Sequence, residues 1–255
     1  MQLSFNPILA AGYHSPSQKI RVMSENWLRQ NIYCPNCGER SLFPCPNNTP
    51  VSDFQCQKCN NFFELKSTSN FIGNKIMDGA YATMIEKIKL GTMPHLFYLN
   101  YDKSTYQVHN LLVIPKHYFV PEIIEKRPPL GPTARRSGWV GCNINLSAIP
   151  KSGKLFLIKN NVHSPIKTIL YMFKHMLFLQ EHNKEKKSWL LDIIKCIETL
   201  NKQCFSLTEL YAFELDLAKK HPENNHIKPK IRQQLQILRD NKYLKFIKKG
   251  TYQLL

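Results

Sequence analysis

Helical spacing of apolar residues predicts the helices in the first part of the chain. Apolar side chains recur at intervals of three and four through residues 16–30 and through residues 74–90, where Gly91 follows as a stop signal. Helical spacing resumes at Ile166. We therefore expect an opening helix, a second helix over 74–90 and a third that begins near 166.

Strand-like runs lie between and after these helices. Residues 61–67 form a short apolar run, and residues 95–101 and 108–114 are β-prone runs joined by a polar turn, which predicts a hairpin. Residues 155–159 are a further strand candidate. Residues 126–141 are rich in Pro and Gly and carry four basic residues, which predicts a loop. Together these elements predict an α/β domain with a mixed sheet and flanking helices.

The pattern changes after a polar, charged stretch at residues 180–187, which we interpret as a linker. Beyond it, Ser206 is predicted to be a plain helix N-cap. Three helical segments and two short strands follow the linker, at residues 188–201, 206–220, 227–241, 243–247 and 251–255. Three helices and a β-hairpin predict a winged-helix module whose third helix enters the major groove of DNA. The chain is accordingly divided into domains at 1–183 and 184–255.

Charge supports a polyanionic partner. The chain holds 35 Lys and Arg against 18 Asp and Glu, a formal charge of +17. Residues 224–255 carry eight basic side chains and one acid, whereas residues 183–223 carry seven of each. A solvated helix face usually mixes signs, so the concentration of charge on the third helix and hairpin favours nucleic acid.

Composition excludes other classes of protein. Hydrophobic residues make up 43% of the chain, which indicates a packed core, and no stretch reaches the roughly 20 apolar residues that span a membrane. The first 13 residues lack the basic start and apolar run of a secretory signal. We expect a cytoplasmic, bacterial protein without a membrane partner.

Eight cysteines are present, and four of them form two Cys-x2-Cys pairs separated by 18 residues, namely Cys34, Cys37, Cys56 and Cys59. This spacing predicts a tetrahedral structural zinc site, because each pair can direct two sulfurs at one ion and no position is left for water. An iron–sulfur cluster and two unrelated reduced pairs are the alternatives. The other four cysteines are interpreted as small buried residues.

Three charged residues near the second cysteine pair could carry chemistry. Asp53 precedes Glu64 by eleven residues, and Lys66 follows Glu64 at an interval that places both on one face of a strand, with the Leu65 carbonyl between them. Two carboxylates and this carbonyl suit one or two Mg²⁺ ions, as in phosphodiester hydrolysis, and the lysine could orient or deprotonate the attacking water.

Alone, this triplet is a weak signal, since an exposed charged strand would show it as well. Two features of the neighbourhood strengthen it. Phe62, Phe63 and Leu65 make the run apolar, so charges within it need partners. Cys56 and Cys59 also lie between Asp53 and Glu64, so a bound zinc would hold the hairpin that aligns them.

Several segments resemble the DpnI-type restriction endonucleases, and the resemblance covers nearly the whole chain. They include Tyr33-Cys34-Pro35-Asn36-Cys37-Gly38, Asp53-Phe54, Phe63-Glu64-Leu65-Lys66-Ser67, Asp78-Gly79-Ala80-Tyr81-Ala82-Thr83-Met84, Pro132-Thr133-Ala134-Arg135-Arg136, Asn224-Asn225-His226-Ile227-Lys228 and residues 231–240. The resemblance implies a nuclease core of the PD-(D/E)xK type with a zinc knuckle over 1–183, and a DNA-binding winged helix over 184–255.

The resemblance also implies a function. DpnI-type enzymes cut double-stranded DNA at GATC only when its adenine carries an N6-methyl group, with a blunt cut between A and T. Asp53, Glu64 and Lys66 match the catalytic positions of the family, and the four paired cysteines match its zinc ligands. Ser52 stands where the general nuclease pattern has proline, and we expect no consequence because that residue binds nothing.

Candidate DNA contacts lie in both domains. A methyl group in the major groove calls for an apolar or aromatic wall, and Trp139 beside Arg135 and Arg136 is the candidate in the first domain. In the second domain, the candidates are Gln233 and Gln234 for the adenine edge, Lys228, Lys230 and Arg232 for phosphates, and His226 at the start of the third helix.

Two alternatives to a methyl-directed enzyme stay open on the sequence. A repair-type nuclease without methyl specificity would use the same core. A transcription regulator would combine a zinc knuckle with a winged helix and catalyse nothing, although it would have no reason to retain Asp53, Glu64 and Lys66. We expect a monomer, since one chain carries two DNA-reading domains.

Overall fold

The computed structural model describes residues 2–46 and 52–255, which form two compact units. The first unit comprises residues up to Ser147 together with Ser152–Met176, and the second comprises Ala148–Lys151 and Leu177–Leu255. Within the described ranges, every helix is too short or too polar to cross a membrane.

The first unit is built on a seven-stranded mixed sheet, which confirms the predicted fold class. The order of its strands is β1-β2-β3-β5-β6-β9-β10, and β3 and β5 form its parallel pair. The strands are β1 (Phe43–Pro44), β2 (Phe54–Gln55), β3 (Phe62–Thr68), β5 (His95–Tyr101), β6 (Val108–Ile114), β9 (Leu155–Lys159) and β10 (Val162–His163). The predicted hairpin is confirmed as β5 and β6, which pair antiparallel.

Burial explains why the central strands β5 and β6 are nearly continuous apolar runs in the sequence. All seven residues of β5 are buried, and the last four residues of β6 are buried as well. A strand covered on both faces shows no alternation of polar and apolar side chains. The sheet is flanked by α1 (Pro16–Asn31) and α3 (Ile166–His175), close to the predicted bounds.

A second, three-stranded sheet has the order β4-β8-β7, with β4 (Lys75–Ala80), β7 (Ile124–Lys126) and β8 (Gly141–Asn145). The predicted helix over 74–90 is wrong in its first half, because 75–80 is strand β4 and only α2 (Tyr81–Leu90) is helical. Ile76 is buried between the exposed Lys75 and Met77, which is strand periodicity, and a glycine such as Gly79 disfavours a helix interior. Gly91 ends α2 with φ of 70°, as predicted.

The second unit has the helices and hairpin of a winged helix. It contains α4 (Lys184–Leu200), α5 (Leu207–Tyr211), α6 (Glu214–Lys220), α7 (Ile227–Asp240), and a sheet in the order β11-β13-β12 formed by β11 (Cys204–Ser206), β12 (Leu244–Lys248) and β13 (Thr251–Leu254).

Short 3-10 helices occur in both units, at Pro7–Ala10, Lys116–Tyr118, Pro121–Ile123, Lys151–Gly153 and Leu177–Glu181.

Three details of the second unit differ from the sequence interpretation. The interpreted linker is helical from Lys184, the segment 206–220 is two helices, and strand β11 was missed. Ser206 is more than a plain N-cap, since its hydroxyl accepts from the Glu209 amide while the Glu209 carboxylate accepts from the Ser206 amide. This is the capping box that the Ser-x-x-Glu spacing allows. The compact units separate at 176/177, and the domain boundary at 183/184 stays a prediction.

Candidate active site and zinc centre

Four cysteine sulfurs converge in the first unit. The ligand atoms of Cys34, Cys37, Cys56 and Cys59 all lie within 4.8 Å of one another. The Cys34 and Cys59 sulfurs are 3.6 Å apart, and those of Cys37 and Cys56 are 3.5 Å apart. Tetrahedral zinc with bonds of about 2.3 Å requires sulfurs roughly 3.8 Å apart, so the four thiols fit this ion.

Each cysteine pair sits on the same kind of tight turn. Gly38 donates its amide to the Cys34 carbonyl at 2.8 Å, and Asn60 donates its amide to the Cys56 carbonyl at 2.8 Å. Gly38 has φ of 80° and Asn60 has φ of 56°, a left-handed conformation that Gly and Asn adopt readily. Asn61 also donates its side-chain amide to the Cys59 sulfur at 3.3 Å. This repeated geometry favours a built metal site over two unrelated pairs.

The second cysteine turn is joined directly to Asp53. Strand β2 runs from Asp53 toward Cys56 and pairs with β3, with Phe54 opposite Phe63. The Asp53 amide donates to the Phe63 carbonyl at 2.9 Å, and the Asp53 carbonyl accepts from the Cys45 amide at 2.9 Å. The turn therefore connects the strand next to Asp53 with the strand that carries Glu64.

The three predicted catalytic residues lie together at this hairpin. Asp53 accepts a hydrogen bond on Oδ2 from the Leu65 amide at 2.7 Å, and Glu64 Oε1 lies 2.6 Å from the Lys66 ammonium. Glu64 is 8% exposed. On the other side of Asp53, the Arg21 guanidinium of α1 approaches Oδ1 to 4.0 Å.

A fourth charged residue, Asp78 of β4, joins this group and was missed from the sequence. Its Oδ1 lies 2.7 Å from the Lys66 ammonium, so Lys66 bridges the carboxylates of Glu64 and Asp78. The signal that could have found it is the spacing of Ile76 and Asp78, which places both on one face of a strand, although the apolar Met77 between them obscures the alternation. Assignment of this segment to a helix hid that signal.

A cavity of about 250 Å³ opens at the bridge. It is lined by Glu64, Lys66, Asp78, Gly79, Ala80, Thr83, Met84 and Lys87. Strands β3 and β4 supply Glu64, Lys66 and Asp78, and α2 supplies Thr83, Met84 and a second lysine, Lys87.

The net effect of burial and neighbouring charges is to raise the pKa of both Glu64 and Lys66. Burial raises the pKa of Glu64 to about 7, with the nearby Asp78 and Asp53 adding to the shift and Lys66 opposing it. Burial by itself lowers the pKa of Lys66, but Glu64 and Asp78 more than offset it and the pKa is raised. With two carboxylates beside its ammonium, the lysine is therefore a stable cation.

The donor set also suits a hard divalent cation. Carboxylate and carbonyl oxygens are the ligands that Mg²⁺ prefers, and Asp53, Glu64 and the Leu65 carbonyl are adjacent on β3 and the strand beside it. The buried carboxylate of Glu64 favours neighbouring cations, and a bound Mg²⁺ would share it with Lys66.

The predicted loop at 126–141 links β7 to β8 and carries the candidate aromatic residue. Trp139 is half-buried, and its ring lies against Gly141, where a Cβ would come within 2.9 Å of two ring atoms. The Arg136 guanidinium stacks over the Trp139 ring at 4.8 Å, and Arg135 is exposed nearby. Paired hydrogen bonds between Leu130 and the 138–139 segment close the loop.

The loop leads into the strand beside the cavity. Gly141 opposes Ala80 in the β4–β8 pair, and the Tyr81 amide donates to the Val140 carbonyl at 3.1 Å. Trp139 is therefore two residues away from a strand whose partner supplies Asp78.

Helix α7 presents a basic face to solvent. His226 is its exposed N-cap, and Lys228, Arg232 and Gln233 are exposed. Lys228 forms an ion pair with Glu214 at 3.0 Å, and the half-buried Lys230 lies over the Trp189 ring at 5.7 Å. Five more exposed basic residues follow on the end of α7 and on the β12–β13 hairpin, at Arg239, Lys242, Lys245, Lys248 and Lys249.

One candidate on α7 is corrected by the structure. Gln234 is fully buried with Ile231, Leu235 and Leu238 on the packed face of the helix, and its nearest polar partner is Gln233 at 3.4 Å. It cannot contact a base from this position. The helical periodicity places residues 231, 234, 235 and 238 on one side, which could have excluded Gln234 from the sequence.

Comparison with protein families matches both parts of the chain. The model of DpnI, the Dam-replacing family, matches residues 1–182. A second model, the Dam-replacing HTH domain, matches residues 185–254.

Proposed function

The chain belongs to the DpnI, or Dam-replacing, family of restriction nucleases, and from this membership we propose that it is a Mg²⁺-dependent endonuclease that cuts GATC sites containing N6-methyladenine. The observation that carries the chemical part of the proposal is the cluster of Asp53, Glu64 and Lys66 beside an open cavity. We further propose a blunt cut between A and T and a monomeric enzyme.

Asp53, Glu64 and the Leu65 carbonyl hold the magnesium in this proposal. The ion, when bound, polarises the scissile phosphate and lowers the pKa of a bound water. The hydrogen bond from the Leu65 amide fixes one oxygen of Asp53. The same strand segment thereby orients the carboxylate of Asp53 and the carbonyl of Leu65 together.

Lys66 acts as a cation rather than as a proton acceptor. Two carboxylates lie within 2.7 Å of its ammonium, and its pKa is raised. A general base at neutral pH needs the opposite shift. The ammonium therefore orients the attacking water or stabilises the charge that develops on the phosphate.

The zinc centre has a structural role in this proposal. All four ligands are cysteines, so no coordination position is left for water or substrate. The bound zinc would hold the β2–β3 hairpin that brings Asp53 next to Glu64.

DNA recognition is divided between the units. Arg135, Arg136 and Trp139 form the candidate methyl-reading surface of the first unit, with the aromatic ring as an apolar wall for the N6-methyl group. On α7, Gln233 is the remaining candidate for the adenine edge. Lys228, Lys230, Arg232 and His226 are proposed to contact phosphates.

A plasmid assay tests the proposal. The wild-type protein, Asp53→Ala and the control Glu122→Ala are incubated with fully methylated and unmethylated GATC plasmid, in Mg²⁺ or in EDTA. Glu122 is exposed in a 3-10 helix, so its variant controls for loss of a carboxylate outside the site. We expect wild type and Glu122→Ala to cut methylated plasmid in Mg²⁺ and Asp53→Ala to cut neither. Sequencing of the product ends locates the cut.

Other outcomes would decide for the alternatives. Cutting of both plasmids by wild type indicates a nuclease without methyl specificity. Tight binding with no cutting of either plasmid indicates a regulator. Equal activity of Asp53→Ala and wild type contradicts the assignment of the reaction centre.

A further inference from the structure

Asp78 is a buried carboxylate in the proposed reaction centre, and the proposed metal chemistry assigns it no role. Its side chain is 5% exposed, and its Oδ1 lies 2.7 Å from the Lys66 ammonium. Its Oδ2 is buried without a hydrogen-bond partner among the residues that the structure describes. Burial of a carboxylate costs free energy unless it is paired, so a purely structural role would not favour an aspartate at this position.

The local fold fixes Asp78 in this position. Strand β4 pairs with β8, with Asp78 opposite Cys142, and the register shifts between Asp78 and Ala80. The Gly79 amide at this irregularity donates to Asp78 Oδ1 at 2.6 Å, and the Cys142 thiol contacts the Gly79 carbonyl at 3.5 Å. Irregularities of this kind redirect side chains next to active sites.

Lys66 requires a second anchor because Glu64 has another partner in the proposed mechanism. A lysine side chain has four rotatable carbons, and fixing its ammonium costs conformational entropy. Glu64 Oε1 lies 2.6 Å from that ammonium, but the Glu64 carboxylate also serves the metal. Asp78 lies on a different strand and is outside the proposed metal set.

We propose that Asp78 is a positioning residue that holds the Lys66 ammonium at the reacting phosphate. The inference rests on the proposed function. It assigns to β4 a contribution to catalysis that neither the Asp…Glu-x-Lys spacing nor the zinc turn supplies. Without the Asp78 charge, the ammonium keeps one partner and can leave the position from which it acts.

The test compares wild type with Asp78→Asn, which keeps the size of the side chain and removes its charge. We expect the single-turnover cleavage rate on methylated DNA to fall roughly 10- to 100-fold, as for a misplaced catalytic group, with unchanged affinity for DNA. A merely structural role would instead lower the melting temperature and leave the cleavage rate of the folded protein intact.

A second readout does not require cleavage. Lys66 is labelled with an amine-reactive reagent, and its modification is followed by peptide mass spectrometry in the absence of DNA. We expect Lys66 to be modified several-fold faster in Asp78→Asn than in wild type, because one of its two carboxylate partners is lost. If wild type fails to cut any DNA, the proposed function is contradicted, while the labelling still decides whether Asp78 restrains the Lys66 ammonium.

Glu125→Gln is the matched control. Glu125 lies on β7 of the same sheet, and its carboxylate is paired with Lys75 of β4. Its loss should change neither the cleavage rate nor the labelling of Lys66. If Asp78→Asn unfolds, Asp78→Glu restores the charge at a longer reach, and intermediate cleavage and labelling are expected. Wild-type cleavage and labelling in a folded Asp78 variant would overturn the proposal.

Discussion

The carboxyl group of Glu64 in the proposed reaction centre has a raised pKa. Burial raises its pKa to about 7, so in the metal-free protein a proton competes with a cation for the same oxygens near neutral pH. A carboxylate binds Mg²⁺ only after this proton has left. Metal binding must therefore weaken as pH falls below 7.

This competition gives a prediction for the pH dependence of the enzyme. The Mg²⁺ concentration that gives half-maximal cleavage should be constant above about pH 7.5 and should rise by up to about tenfold per unit as pH falls from 7 to 5.5. Titrations with Mg²⁺ at each pH measure it, with DNA affinity in EDTA over the same range as the control. A flat response would contradict a raised pKa at Glu64.

The contact between Trp139 and Gly141 allows a test of methyl reading. A Cβ at Gly141 would lie 2.9 Å from two atoms of the Trp139 ring, so Gly141→Ala must displace the ring. We expect the preference for methylated over unmethylated GATC to fall about fourfold or more, the factor that corresponds to the free energy of burying one methyl group. The ratio of single-turnover rates on the two DNAs measures it.

Gly131→Ala serves as the control for the Trp139 prediction. Gly131 lies in the same loop, and a Cβ there would meet nothing within 4 Å. Its variant should keep the wild-type preference. An unchanged preference in Gly141→Ala as well would argue against Trp139 as the methyl-reading residue.

Residue spacing predicted part of the candidate site. The Cys-x2-Cys pairs and the Asp…Glu-x-Lys triplet are local patterns, and the structure brings each set together. Asp78 could not be predicted in the same way. It lies on β4, which belongs to a second sheet, and residue spacing does not show that this strand places Asp78 next to Lys66. The burial of Gln234, by contrast, follows from helical periodicity, which places it on the face of α7 that carries Ile231 and Leu238.

The cysteine turns would connect a bound metal ion to the β2–β3 hairpin. Strand β1 has two residues and β2 has two, too few for stable pairing on their own. The backbone of Asp53 adds only two hydrogen bonds to this pairing, one to the Phe63 carbonyl and one from the Cys45 amide. A metal ion that binds both turns would supply the missing stability.

Removal of one zinc ligand should therefore disorder the hairpin. We expect Cys37→Ser to lose its bound zinc, to lower the melting temperature by about 10 °C or more and to lose cleavage. Zinc content per chain by a chelating dye and thermal unfolding measure the first two effects. Cys204→Ser is the control, because Cys204 is exposed, contrary to its interpretation as a buried residue, and its loss should leave both unchanged. Full zinc content in Cys37→Ser would contradict the assigned ligand set.

Elements with strong periodicity were predicted well and short ones were not. Helices α1, α3 and α7 and the β5–β6 hairpin follow long apolar patterns. Strands β1, β2, β10 and β11 have two or three residues each, so they offer no period to recognise and depend on pairing with distant strands. Strand β4 was misread because Ala80 and the residues of α2 continue its apolar pattern at helical spacing.

At the scale of the whole molecule, the formal charge of +17 is a source of affinity for any DNA. The exposed basic residues of α7 and the β12–β13 hairpin contribute to it in the second unit. The proposed methyl-reading surface lies in the first unit, on the 126–141 loop. The proposal therefore separates affinity, which depends on phosphate contacts, from discrimination, which depends on Trp139.

This separation can be tested with one variant in each unit. Arg232 is exposed on α7, and Arg232→Ala should weaken binding to methylated and unmethylated DNA alike. Its loss should also reduce the slope of log affinity against log salt concentration by about one. Gly141→Ala should change discrimination and leave the salt slope unaltered.

The double variant provides the decisive measurement. If the two units contribute independently, the free-energy changes of Arg232→Ala and Gly141→Ala should add within about 0.5 kcal/mol for binding and for discrimination. Affinities at several salt concentrations and cleavage rates on both DNAs supply the cycle. A loss of methyl discrimination in Arg232→Ala alone would show that α7 also takes part in reading the methylated base, and the division proposed between the units would then be wrong.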